Sequence, residues 1–313
     1  MPWESRGPLI LVVGPTAVGK TALSIRLAER FGGEIVSADS RQIYRGMDIG
    51  TAKATPEERA RVPHHLLDIV SPDQWYTVAE FQQAATQAIA DIHGRGRLPF
   101  LVGGSGLYVR AVAEGLEIPR VPPNPELRAE LEALAVTNPD ALRARLARLD
   151  PQAATRIDPR NVRRVIRALE VCLSTGKPIT QLQTKRPPNY RMLWIGLTLP
   201  RAELYRRIDA RVERMLELGL VEEVRRLTMQ GYSWDAPAMT GVGYRQIGAY
   251  LRGECSLDEA VREIKRATRR FVRQQANWFR ADDPRIHWLR SDEDAERQAT
   301  ALIQGFLEGK EEV

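Results

Sequence analysis

Residues 14–21 read Gly-Pro-Thr-Ala-Val-Gly-Lys-Thr and follow directly on the apolar run Leu9-Ile10-Leu11-Val12-Val13. The spacing G-x-x-x-x-G-K-T suits phosphate for a mechanical reason. Two glycines let the backbone curl until its N–H groups point into one hollow, the lysine adds a charge there, and the threonine hydroxyl can hold a Mg2+. The stretch from Ala22 to Arg30 has helical spacing and stops at Gly32-Gly33. The loop therefore meets a helix N-terminus, where aligned peptide dipoles favour an anion. Strand, glycine-bearing loop and helix in that order predict a phosphate site made of Gly14, Pro15, Thr16, Ala17, Val18, Gly19, Lys20 and Thr21. The pattern does not choose among diphosphates and triphosphates.

The first 115 residues go on alternating strand and helix: strand Glu34–Ser37, helix Thr77–His93, then strand Leu98–Val102, which runs into Gly103-Gly104. Uninterrupted apolar strands between helices predict a parallel sheet covered on both faces. From about Pro119 the character changes. Pro119, Pro122, Pro123 and Pro125 break the chain, and about seventy residues then read as helices without a strand, among them Glu126–Ala135, Pro139–Leu149 and Asn161–Ser174. Met192–Leu197 resumes strand character, and Arg285–Leu289 reads as a final short strand. The expected architecture is an α/β core, residues 1–117 and 190–313, interrupted by an all-helical insertion at 118–189. Hinges are expected near Pro119–Pro125 and Gly176–Pro188, and residues 309–313 are expected to fray.

Charge narrows the partners. The net charge is +6, and only six of the 46 basic residues are Lys. Arginine is the better residue for bidentate phosphate contact and for stacking on bases, although a GC-rich genome enriches it too. Arg262, Arg266, Arg269, Arg270 and Arg273 fall on one helix face, with Val261, Ile264, Phe271, Trp278 and Phe279 available for an apolar side, and Arg163, Arg164 and Arg167 form a second stripe on the insertion. One stripe alone reads as a solvated face; two in different parts of the chain point to an extended nucleic-acid surface. Cys172 and Cys255 are isolated thiols and the four His form no metal-ligand pattern, which suits a reducing cytoplasm. No apolar run approaches the roughly 18 residues of a membrane span. No exposed apolar stripe asks for a second copy, so a monomer is expected.

Three further segments bear on chemistry. Asp39 follows the second strand, and in an open parallel sheet ligands bind beyond the carboxyl ends of the strands. A carboxylate there can take a proton or hold a metal-bound water; it can also simply cap the segment that follows. Phosphate-loop NTPases usually hold Mg2+ with an Asp at the end of another apolar strand, but Leu98–Val102 runs into Gly103-Gly104-Ser105. That weakens a motor or switch reading and favours a transferase that grips a phosphorylated substrate. Arg206, Arg207, Arg211 and Arg214 share a helix, and Arg207 and Arg211, one turn apart, can reach the same anion. Gly241-Val242-Gly243-Tyr244-Arg245-Gln246 is too glycine-rich for a helix interior and reads either as a loop approaching a ligand or backbone, or as an ordinary turn.

Taken together, these segments resemble the bacterial tRNA dimethylallyltransferases (tRNA isopentenyltransferases). The matching pieces are GPTAVGKT at 14–21, SADSRQIYRGMDIGTAK at 37–53, LVGGSGLYVRA at 101–111, RRVIRALEV at 163–171, the pattern R-I-x-x-R-V-x-x-M-L-x-x-G-L at 207–220, and GVGYRQ at 241–246. They span nearly the whole chain in order. The resemblance implies a phosphate-loop NTPase-like sheet core with a helical, tRNA-binding insertion. It also implies prenyl transfer from dimethylallyl diphosphate to the exocyclic amine of the adenosine just 3′ of a tRNA anticodon. By position, Asp39 would be the general base, and Thr16, Lys20, Thr21 and Arg211 would hold the diphosphate, with Mg2+ on Thr21. The family's tRNA contacts would fall on Asp39, Ser40, Arg41, Gln42, Ser105, Arg128, Arg163, Arg164, Val165, Ile166, Arg167, and Gly241, Val242, Gly243, Tyr244, Arg245 and Gln246. Relatives often carry Thr where this chain has Ser105, which keeps the hydroxyl. Nothing after Trp278 has Cys/His spacing, so the zinc finger of eukaryotic relatives is not expected. A small-molecule kinase using ATP at the same loop, and a non-catalytic tRNA-binding NTPase, remain as alternatives.

Overall fold

The computed structural model describes residues 6–309; the last four residues of the segment expected to fray, 310–313, lie outside the described residues. Six strands form one sheet: β1 (Gly7–Val13), β2 (Gly33–Ser37), β3 (His64–His65), β4 (Leu98–Gly103), β5 (Tyr190–Thr198) and β6 (Ile286–Arg290). Their order is β3-β2-β4-β1-β5-β6, and every pairing is parallel. The helices are α1 (Lys20–Phe31), α2 (Pro56–Arg61), α3 (Val78–Gly94), α4 (Gly106–Ala113), α5 (Pro125–Thr137), α6 (Pro139–Leu149), α7 (Pro151–Arg156), α8 (Val162–Thr175), α9 (Ile179–Leu182), α10 (Arg201–Glu217), α11 (Leu220–Met229), α12 (Tyr244–Leu251), α13 (Leu257–Ala276) and α14 (Ala295–Leu307).

The continuous apolar runs are strands buried on both faces. Leu9 to Val13 are fully buried. Ile10 and Val12 pack with Leu23 and Leu27 of α1, Leu204 and Ile208 of α10 and Ile303 of α14. Helix α3 lies along β2 and β4 and buries Phe81, Ala85, Ile89 and Ile92. Its start is set by a capping box between Thr77 and Glu80, which satisfies two orphan amide groups reciprocally. The chain leaves β1 toward β2, β3 and β4 on one side and later resumes at β5 on the other. The sheet thus changes direction at β1, where an open parallel sheet leaves a crevice beyond its carboxyl ends. Strand β3 was not legible in the sequence: two residues carry no periodicity, and only the pairing Ile35 with His64 and Val36 with His65 defines it.

The chain divides into two compact units, residues up to Arg110 together with those from Asn189, and residues Ala111–Pro188. The second unit holds its own core, built from Leu131, Leu142, Leu146, Ala153, Val165, Ile166 and Leu169. Three of its helices start alike. Asn124-Pro125, Asn138-Pro139 and Asp150-Pro151 each put a capping side chain before a first-turn proline. The proline loses nothing there, because its missing N–H would have had no partner in the helix.

Candidate active site

The phosphate loop is held open by backbone geometry. Gly14 has φ 139° and Gly19 φ 100°, a region that side chains resist. A Cβ on Gly14 would also stand 2.5 Å from the Leu197 carbonyl oxygen of β5. Val18 is buried, and its carbonyl accepts the Ser291 hydroxyl at 2.6 Å; its side chain and carbonyl anchor the loop. Helix α1 begins at Lys20 with no side-chain cap and no acidic residue in its first turn, so its amide groups and dipole stay available to an anion. Lys20 Nζ curls back to donate to the carbonyls of Gly14 (3.0 Å) and Pro15 (2.7 Å). Burial lowers its pKa from the usual 10.5 to about 8; Asp39 nearby opposes the shift and Arg211 adds to it.

Asp39 lies two residues beyond β2, where its Oδ1 accepts the Arg41 N–H at 2.8 Å. The carboxylate therefore caps a turn and also lines the cavity beside the loop, so the capping and functional readings coexist. Ser105 brackets it: the Ser105 N–H donates to the Ala38 carbonyl at 3.3 Å, and its Oγ accepts the Ser40 N–H at 3.0 Å. Arg41 spans to the segment before Gly241, donating to the Pro237 carbonyl at 2.9 Å. Gln42 is used internally. It accepts from Ser37 Oγ at 3.0 Å and donates to the carbonyls of Thr51 and Ala52.

The cavity measures about 800 Å3 and is walled by Thr16, Lys20, Thr21, Asp39, Arg207 and Arg211, with Ile35, Ile49, Ala52 and Met215 among its apolar residues. Arg207 and Arg211, one turn apart on α10, thus do face one space. Arg207 donates to Glu203 at 3.0 Å. Among the described residues Arg211 reaches only the Thr51 carbonyl, at 3.4 Å; burial lowers its pKa and Asp39 opposes that. Such an arginine keeps donors in reserve for an incoming anion. The C-terminal stripe is less free than the spacing suggests: Arg269 pairs with Asp209, Arg273 donates to the Tyr205 hydroxyl at 3.3 Å, and Phe271 of the expected apolar side stays exposed.

The GVGYRQ segment corrects one expectation. Gly243, at φ 96°, is the N-cap of α12, so Tyr244, Arg245 and Gln246 form its first turn rather than a loop. Tyr244 is buried and donates to Glu223 at 2.5 Å, and the Gln246 side chain accepts the Gly243 N–H at 3.0 Å. Neither side chain faces solvent; Val242 and Arg245 are the exposed residues of the segment, and Gly241 is buried. Glu223, which sequence reasoning missed, is buried and accepts the N–H groups of Asp48, Ile49 and Gly50 at 2.9, 2.8 and 3.1 Å. It pins the loop that lines the cavity. Lys53, also missed, is buried between Asp48 and Asp68. Glu223 leaves one trace in the sequence, a charge at helical spacing among Leu220, Val224 and Leu227; Lys53, outside any helix or strand, leaves none.

In the helical unit, Arg163 and Arg164 are exposed, without a partner among the described residues, whereas Val165 and Ile166 sit in the core. A contact run read along the sequence cannot survive a helix, because 3.6-residue periodicity turns two of its five side chains inward. Arg128 and Arg167 both grip buried Glu170, Arg128 through two bonds of 2.8 and 2.9 Å and Arg167 through one of 2.5 Å.

A sequence model described as IPP transferase matches residues 42–282, and one described as isopentenyl transferase matches residues 7–68. The chain belongs to the IPP transferase family. A tRNA dimethylallyltransferase of Roseiflexus sp. is 55% identical over 303 residues, covering 96% of this chain and 99% of its own. One from Thermomicrobium roseum is 58% identical over 278 residues, covering 88% and 84%. Among solved structures, the full-length tRNA isopentenylpyrophosphate transferase of Bacillus halodurans superposes with TM-score 0.73 at 44% identity, covering 97% of this chain and 98% of its own. A eukaryotic dimethylallyltransferase acting on tRNA gives TM-score 0.81 at 27% identity, over 97% and 80%. The phosphate-loop NTPase-like sheet is therefore the fold of an IPP transferase family member. No helix among the described residues is long and apolar enough to cross a membrane.

Proposed function

We propose that this chain transfers a dimethylallyl group from dimethylallyl diphosphate to tRNA, at the exocyclic amine of the adenosine just 3′ of the anticodon, and releases diphosphate. The amine nitrogen forms a bond to the allylic carbon as the carbon–oxygen bond to diphosphate breaks, and the amine proton passes to the Asp39 carboxylate. The observation that carries this reading is the meeting of Lys20, Asp39 and Arg211 on one cavity at an uncapped helix N-terminus. Loop amides, Lys20, Arg211 and the Thr16 and Thr21 hydroxyls face the place where a leaving diphosphate gains charge, and donors already in position stabilise it without reorganisation. As the nitrogen becomes cationic its proton turns acidic, so an ordinary carboxylate suffices as base.

The residues present suit a Mg2+ carried in by the substrate. Among the described residues no three His, Cys, Asp or Glu side chains gather at a metal position, but Thr21 offers a hydroxyl on the cavity wall. Mg2+ commonly takes one or two protein ligands and fills its shell with phosphate oxygens and water. When bound it would neutralise charge on the diphosphate.

An anticodon-loop base can be splayed into such a pocket at modest unstacking cost. We assign its surroundings to Asp39, Ser40, Arg41, Ser105 and the Gly241–Val242 turn, and phosphate contacts in the helical unit to Arg163 and Arg164, with Arg128 and Arg167 presented by Glu170. Cytoplasmic action on tRNA as a monomer belongs to the same proposal. The test is transfer of label from radioactive dimethylallyl diphosphate to bulk tRNA with Mg2+ and without ATP. Label in tRNA, cut about 10²-fold or more in Asp39→Ala with tRNA affinity unchanged within a few-fold, is expected. No label, but phosphate release once ATP is added, would refute the reading in favour of a kinase or NTPase.

A further inference from the structure

Gln275 stands at the C-terminal end of α13, far in sequence from the phosphate loop and from Asp39, and is only 4% exposed. Its Oε1 accepts the Thr16 N–H of the phosphate loop at 3.0 Å, and its Nε2 donates to the Gly104 carbonyl at 3.0 Å. Gly104 is bare where the amide lies: a Cβ there would come within 2.3 Å of Gln275 Nε2. The next residue, Ser105, holds both peptides that flank Asp39, through its N–H to Ala38 and its Oγ from Ser40. One carboxamide therefore sits between the loop that would grip the leaving group and the turn that fixes the base.

We propose that Gln275 is a positioning residue for the transfer, setting the distance between the diphosphate loop and Asp39. This rests on the transferase reading above. The chemistry of the side chain is restrictive. The site needs one acceptor and one donor about two ångströms apart on a rigid plane, which an amide supplies. A carboxylate supplies acceptors only, and Asn is one methylene too short to reach both partners from the same helix. The consequence of losing it is geometric. The loop also has its own anchor at Val18, whose carbonyl accepts the Ser291 hydroxyl, and Asp39 keeps its turn with Arg41. Both halves of the site persist, but their separation is released. A misplacement near 1 Å between reacting groups costs on the order of 10²-fold in rate.

The experiment compares Gln275→Met, which keeps length and removes both hydrogen bonds, with Gln275→Glu, which keeps the acceptor for Thr16 and loses the donor to Gly104. Turnover at saturating donor and tRNA, KM for each substrate and melting temperature are measured beside the unaltered protein. Expected for both variants is a kcat about ten- to a hundred-fold lower, with KM for tRNA within about three-fold. The double variant Gln275→Met/Ser105→Ala is expected to lose no more than about three-fold beyond the worse single change, since both act on one geometry. A folded Gln275→Glu or Gln275→Met protein with kcat within two-fold of the unaltered one would overturn the proposal. So would losses in the double variant that multiply. Should Gln275→Met not fold, the Glu variant carries the test alone, and hydrogen exchange at the Ser40 and Ser105 amides decides it: faster exchange is expected, unchanged exchange refutes. An unaltered protein that transfers no label refutes the function instead and leaves this outcome distinct.

Discussion

Lys20 offers the sharpest quantitative check, because its charge in the free protein is unusually weakly held. Burial brings its pKa from 10.5 to about 8. A diphosphate against Nζ favours the charged form and raises the pKa again in the complex. Binding therefore takes up a proton wherever the free lysine has lost one. The sign follows: donor affinity approaches its full value about one unit below pH 8 and falls as pH rises through 8, by up to tenfold per unit. Between pH 7.5 and 9.5 the charged fraction of a group at pKa 8 drops from about three-quarters to about 3%. Allowing for the complex, the dissociation constant rises about 20-fold, or about 1.8 kcal/mol. Calorimetric titration of dimethylallyl diphosphate, without tRNA, measures this directly, since the donor is already fully ionised above pH 7.5. Lys20→Arg supplies the control: a guanidinium stays charged to pH 12 and beyond, so that variant should bind equally at both pH values. A flat profile for the unaltered protein, or an equal fall in Lys20→Arg, would refute the assignment of the charge to Lys20.

Other expectations test the surroundings. Glu223→Ala leaves the amides of Asp48, Ile49 and Gly50 without their buried acceptor and should cost about 3–5 kcal/mol in denaturant unfolding; Glu223→Gln, which keeps an acceptor, should cost less. Gly14→Ala brings a methyl within 2.5 Å of the Leu197 carbonyl at a φ of 139°, and donor binding should be lost while tRNA binding, read by filter retention, persists. Arg163→Ala and Arg164→Ala should each weaken tRNA binding uniformly across sequences and flatten the plot of log affinity against log salt by about one unit. An unchanged slope removes the phosphate contact from that residue.

Much of the site could be read along the chain. The phosphate loop is local: its glycines, its lysine and the apolar strand before it occupy twelve consecutive positions, residues 9–20, so their geometry depends on little else. Asp39 was found because parallel sheets put ligands at strand ends. What escaped was whatever distant elements impose. Nothing near Gln275 in the sequence mentions a phosphate loop 259 residues away, and Glu223 shows only as a charge at helical spacing among Leu220, Val224 and Leu227, with no sign of the three backbone amides that converge on it. The run from Arg163 to Arg167 was legible as basic and helical, but carrying the family's contacts over as a continuous run took in Val165 and Ile166, which the helix turns into the core.

The sequence by itself determined the parallel α/β sheet, the phosphate loop and the place of Asp39 just beyond a strand end, because each rests on short-range pattern: uninterrupted apolar runs of strand length, glycines where φ is positive, and an acid just past a strand. Tertiary structure alone decided which arginines are free and which are already paired, what pins the loop around Ile49, and how the base is held relative to the loop. Those depend on buried hydrogen bonds between groups far apart in the chain. Such bonds exist only once the folded core has removed water as the competing partner.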